Sequence, residues 1–105
     1  MADNKLVLYQ YDTKTIGCNI SNFSNIDLST TTPYLTVKKK ASDVVPVLSK
    51  IGTYDASITT VIFPLSKIDT SIAPGDYIYD IVLDDSINIY VTITKDTFTI
   101  LDGVR

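Results

Sequence analysis

The chain of 105 residues has no histidine, no tryptophan, no glutamate and a single cysteine. Each absence removes a class of chemistry. Without histidine there is no Ser-His or Cys-His nucleophile pair and no zinc site built on imidazole, which takes away the machinery of most hydrolases. With Cys18 alone no intrachain disulfide forms, so apolar packing must hold the framework. Gly17, Gly52, Gly75 and Gly103 stand apart from one another, leaving no glycine-rich phosphate loop. No apolar run approaches the ~20 residues of a membrane helix, and the opening Met1-Ala2-Asp3-Asn4-Lys5 lacks the basic start and apolar stretch of a secretory signal. A soluble chain with no membrane partner is the expectation.

A formal net charge of −3 argues against nucleic acid as a partner, because neutralising phosphates takes a basic surface. The one basic run, Lys38-Lys39-Lys40, falls at the end of an alternating segment and reads as a solvated strand edge that discourages aggregation. All twelve acidic residues are aspartates, nearly all at segment ends, where a short carboxylate bonds nearby backbone. Asp80 is the exception, standing mid-segment opposite Tyr79 and Ile81, and a solvated outer face is its expected place. Paired carboxylates can act as acid and base, but nothing in the pattern singles out such a pair, so no enzyme, no catalytic residue and no cofactor is expected. Asp84-Asp85, with Asp55 or Asp96, would offer oxygen ligands to Ca²⁺ if the fold gathered them, although the spaced loop of a calcium-binding hand is missing.

What is present is a composition of 45% hydrophobic and 20% charged residues, that of one folded domain spanning residues 1–105. Period-two alternation of Ile, Val, Thr and Tyr, broken by Asp, Ser, Asn, Pro and Gly, runs through the whole chain, and no long segment has helical periodicity. The clearest strand sets Ile87, Ile89, Val91 and Ile93 against Asn88, Tyr90, Thr92 and Thr94. Further buried faces are predicted from Ile16, Cys18 and Ile20; Leu35 and Val37; Val61, Phe63 and Leu65; Tyr77, Tyr79, Ile81 and Leu83; and Phe98 with Ile100. Leu6 to Tyr11 reads as a first strand whose buried face stays open, and Val44 to Ile51, which carries Pro46, as an edge strand or irregular connection. Seven or eight short strands with short connections predict an all-β, mainly antiparallel, two-sheet sandwich.

Pro74-Gly75-Asp76-Tyr77 is a turn that delivers a tyrosine into the start of a strand, the place of the tyrosine corner in immunoglobulin-like sandwiches, and Tyr77 is the candidate for it. Cys18, within Ile16-x-Cys18-x-Ile20, reads as a small buried hydrophobe. Tyr34 and Tyr90 are out of phase with the buried sets and are the outward-facing aromatics, either interface residues or ordinary cross-strand partners.

The order of segments resembles the immunoglobulin-like N-terminal domain of phage baseplate upper proteins and related tailed-phage virion proteins. The matching stretches are Asp12-Thr13-Lys14-Thr15-Ile16, Ile26-Asp27-Leu28-Ser29, Leu35-Thr36-Val37-Lys38-Lys39, Thr60-Val61-Ile62-Phe63-Pro64-Leu65, Pro74-Gly75-Asp76-Tyr77-Ile78-Tyr79-Asp80-Ile81 and Thr97-Phe98-Thr99-Ile100. The resemblance spans nearly the whole chain, and the order of the pieces carries most of its weight. It implies a bacteriophage virion structural protein, a baseplate, connector or capsid-decoration module, assembled in the host bacterial cytoplasm. Its partners would be other virion proteins, and it would act as a homo-oligomer or a repeated subunit. A carbohydrate-binding or adhesin-like module is the alternative, motivated by the tyrosines and the loop aspartates. A flat aromatic patch would suit protein docking and a concave cleft would suit sugar.

Overall fold

The computed structural model describes residues 5–20, 31–40, 42–55, 57–85 and 90–102. Eight strands run through them: β1 (Leu6–Tyr9), β2 (Lys14–Asn19), β3 (Thr32–Lys38), β4 (Leu48–Ile51), β5 (Thr53–Asp55), β6 (Thr60–Leu65), β7 (Gly75–Asp84) and β8 (Tyr90–Leu101). They form a five-stranded sheet of order β1-β8-β7-β3-β4 and a three-stranded sheet of order β2-β6-β5. Every pairing is antiparallel except that of β1 with β8. Those two strands come from opposite ends of the chain, so no short connection dictates their direction.

The alternation read from sequence is what builds the core. Leu8, Leu35, Val37, Tyr77, Tyr79, Ile81, Leu83, Phe98 and Ile100 from the larger sheet meet Ile16, Val61, Phe63 and Leu65 from the smaller one in a single buried cluster. Side chains of this size each gain roughly 1.5–3 kcal/mol on leaving water, and their sum fixes the two sheets face to face in a sandwich-like pair of layers. Tyr79 and Phe98 meet edge-on, with ring centroids 6.2 Å apart. In β1 the question of face is settled by packing: Leu8 is buried, whereas Val7 and Tyr9 are exposed. Cys18 is half-buried against the core, and burial pushes its thiol pKa up, away from the reactive thiolate.

Three features differ from the sequence reading. The first concerns β8, which is one strand where sequence indicates two. Ile81 pairs with Thr94 but Val82 pairs with Thr92, so Ile93 is an extra residue, a β-bulge. The bulge reverses the parity of inward residues, from Val91 before it to Thr94, Asp96, Phe98 and Ile100 after it. Thr94 therefore stands opposite core-facing Ile81, not on the outer face with Tyr90 and Thr92. Ile87, Asn88 and Ile89 lie outside the described residues.

The second feature is β5, three residues too short to show alternation. It follows β4 after the single residue Gly52, whose amide donates to the Pro33 carbonyl at 3.0 Å. Within that one residue the chain leaves the edge of the larger sheet and joins the edge of the smaller one. Pro46 sits in the connection ahead of β4, which is an edge strand.

The third is the lysine run. β3 is an interior strand between β7 and β4, and of the three lysines Lys38 alone belongs to it, paired with Ile78 of β7 just beyond the last β4 partner at Val37. Lys39 instead extends over the Tyr77 ring, with Nζ 4.8 Å from the centroid, and donates to the Asp76 carbonyl at 3.3 Å.

The connection from β6 to β7 is fastened at two points. The Thr70 hydroxyl, fully buried, donates to the Asp12 carbonyl at 2.7 Å, and the Tyr11 amide donates back to the Thr70 carbonyl at 3.1 Å. Lys50 of β4 forms an ion pair with Asp69 at 2.8 Å, and the Ser66 amide donates to the same Asp69 oxygen at 2.9 Å. The Lys50 hydrogen bond, helped by that amide, holds the Asp69 carboxyl below its ordinary pKa.

Candidate functional site: a groove on the outer face of the larger sheet

The register of β3, β7 and β8 sets out the outer face row by row. Lys95, Asp80 and Thr36 form one row across the three strands; Thr92, Val82 and Tyr34 form the next; Tyr90 then stands opposite Asp84, and Lys38 opposite Ile78. Long side chains at the margins and short ones between them leave a groove of about 320 Å³ lined by Tyr34, Thr36, Lys38, Asp80, Val82, Tyr90 and Lys95, among others. Ligand pockets for small molecules begin at about this volume.

Both tyrosines singled out from sequence thus border the same concavity, although 55 positions separate them in the chain. They meet because β3 and β8 flank β7 on either side. Period-two reasoning finds that each faces outward; it cannot find that they share a groove, since strand order is a non-local property.

Val82 belongs to the same floor, a place that strict alternation does not assign to it. It points away from the sandwich core, outside the buried cluster, yet is only 4% exposed. Val82 and Leu83 are consecutive and both buried, so β7 is covered on both faces at this point. The sequence signal is the run Ile81-Val82-Leu83, an interruption of strict alternation.

Asp80 occupies the outer face as expected, but half-buried on the groove floor rather than freely solvated. Desolvation raises its pKa, and this effect outweighs the opposing attraction of Lys38 and Lys95. Among the described residues nothing hydrogen-bonds to or forms an ion pair with the Asp80 carboxylate. The domain therefore keeps a carboxylate where it costs stability, a pattern found at functional sites.

Tyr77 lies elsewhere, at the start of β7. Its ring is buried and its hydroxyl donates to the Ala73 carbonyl, four residues upstream, at 2.7 Å. That bond ties the β6–β7 connection to the first turn of the strand it feeds. Gly75, with φ of 151°, supplies the backbone conformation that a side chain would resist.

The aspartates considered for calcium are dispersed. Asp84 is on the outer face opposite Tyr90, Asp96 stands opposite Tyr79 on β8, and Asp55 accepts from the Ser57 amide and hydroxyl in the β5–β6 hairpin. Among the described residues no three carboxylate or thiol groups converge as a metal site.

No family model matches the chain, and no curated protein matches it either. The functional reading rests on the fold, on the order of its segments and on the surfaces described above.

Proposed function

We propose that the chain is an immunoglobulin-like interaction module that serves as a structural protein of a tailed-bacteriophage particle, working through protein–protein interfaces rather than catalysis. Strand order supports the immunoglobulin-like assignment. Taking β2, β3, β5, β6, β7 and β8 as strands B, C, D, E, F and G puts B, E and D in one sheet and C, F and G in the other, with β4 as the added strand beside C. Tyr77 then falls at the start of strand F, the place of the tyrosine corner. The first strand departs from the commonest arrangement by lying beside G.

The observation that carries the interaction reading is an apolar end of the sandwich. Val44, Val45 and Ile68 are 91%, 77% and 82% exposed, and they lie in the β3–β4 and β6–β7 connections. The register brings the end of β3 beside the start of β7, so these connections share one end. Val47, Leu48, Ile68 and Ile72 border a shallow hollow of about 480 Å³ there. Exposed apolar residues gathered in this way mark sites that a partner covers. Light scattering across a range of concentrations tests the reading: the parent chain should form a closed oligomer, and Ile68→Lys should shift it toward monomer. A monomer at every concentration that also co-sediments with no virion component would overturn it.

A second reading, recognition of carbohydrate, is favoured by one specific observation: Tyr34 and Tyr90 border a concavity rather than a flat patch.

A further inference from the structure

We propose that the groove between Tyr34 and Tyr90 is a binding site for an uncharged pyranose sugar, with Asp80 as its central hydrogen-bond acceptor. This inference deepens the second reading above and is independent of the particle assignment.

Three observations narrow the ligand to this class. The strands forming the floor are interior: β7 is flanked by β3 and β8, and β3 by β7 and β4. The main-chain groups of that floor are taken up by neighbouring strands, and the edge that β8 leaves unpaired over residues 90–97, where β1 pairs only Phe98 to Leu101, lies at the groove's margin rather than on its floor. A ligand seated on the floor is recognised by side chains.

Those side chains are balanced in charge. Asp80 and Asp84 are offset by Lys38 and Lys95, and all four line the groove. A phosphate or sulfate would meet two carboxylates, and an organic cation two ammonium groups. An uncharged ligand that both donates and accepts hydrogen bonds meets no such opposition, and a sugar carries both kinds of group on every hydroxyl.

The remaining lining is aromatic and apolar at the right places. Tyr34 and Tyr90 bring aromatic rings and polar tips to the lining, and Val82, on the strand between theirs, adds an apolar side chain. A pyranose has an apolar C–H face and an equatorial belt of hydroxyls. With the C–H face against a tyrosine ring, the belt can donate to the two oxygens of Asp80, which no described residue engages, and accept from Lys38 or Lys95. Hydrogen bonds to a charged acceptor inside a desolvated site are the stronger kind, which is what holding Asp80 half-buried would provide.

The test is an amide-shift titration by NMR with glucose, galactose, rhamnose and N-acetylglucosamine, using N-acetylneuraminic acid as the charged comparison, run beside a glycan array. The expected result is a saturable shift with at least one uncharged sugar, confined to the outer-face residues of β3, β7 and β8, and weak or no response to the charged one. Asp80→Asn and Tyr34→Ala should each weaken binding by about tenfold while the variants keep their cooperative melts. Array binding that survives both substitutions would overturn this site while leaving the glycan reading standing. Silence from every sugar in both assays would overturn both.

Discussion

Adding one methyl group at position 52 should unsettle the whole domain. A Cβ built on Gly52 lies 2.6 Å from Cε1 of Phe63 and 2.7 Å from the Ile62 carbonyl oxygen. Carbon atoms rest at about 3.5–4.0 Å, so close to 1 Å has to be found. Neither neighbour can yield easily, because Phe63 is fully buried at the centre of the core and the Ile62 oxygen belongs to the backbone of β6, the middle strand of its sheet. Gly52 is also the single residue by which the chain crosses between sheets, so a shift there disturbs β4 and β5 together. Overpacking of this kind costs about 1–3 kcal/mol, and Gly52→Ala belongs at the upper end. For a domain of this size about 3 kcal/mol lowers Tm by roughly 12–15 °C. Urea unfolding with thermal melts followed by circular dichroism gives the measurement. Gly17→Ala is the control: the added carbon meets only the Thr60 methyl, at 3.3 Å, and should change stability by no more than about 0.5 kcal/mol. If Gly52→Ala were within about 1 kcal/mol of the parent, the steric argument would fail.

Other outcomes follow from the same geometry. Tyr77→Phe removes the hydroxyl that bonds Ala73 and should cost about 1–2 kcal/mol in a urea melt, with little change in the circular dichroism spectrum. Thr70→Val leaves the Asp12 carbonyl without its donor and should cost about 1–3 kcal/mol, a loss that a neutral melt would expose as false. Thr59, at φ of 51°, holds a β-branched residue in the left-handed region, so Thr59→Gly should raise stability by up to about 1 kcal/mol in the same assay. Asp69 and Asp80 should respond to acid in opposite senses. The lowered pKa of Asp69 means that its ionised form stabilises the fold at neutral pH, and this contribution disappears as pH falls through the folded-state value, so Asp69→Asn should be less stable than the parent near neutrality and converge with it in acid. The raised pKa of Asp80 means that ionisation costs stability as pH rises through the folded-state value, so Asp80→Asn should gain stability near neutrality and lose that advantage in acid. Parallel shifts of the two variants would refute the assignment.

The alternating sets Leu35 with Val37, Val61 with Phe63 and Leu65, and Tyr77 with Tyr79, Ile81 and Leu83 were legible without coordinates, because a period of two is written into each strand locally. So were the outward direction of Tyr34 and Tyr90 and the turn that delivers Tyr77. β5 was not, being too short for any period to register. Nor was the unity of β8, because Ile93 reverses the parity of burial within one uninterrupted run, with no glycine or proline to mark the place.

The sequence by itself determined which residues seek the interior and that the chain would become strands, since both follow from side-chain hydrophobicity and spacing along the backbone. The tertiary structure alone decided which strands are neighbours, and so that Lys39 covers the Tyr77 ring, that Gly52 must be bare, and that Tyr34, Asp80, Val82 and Tyr90 share one groove. The reason is physical: a strand's pairing groups are the same backbone amides and carbonyls in every strand, so partners are chosen by the packing of the whole core rather than by any local feature of the chain.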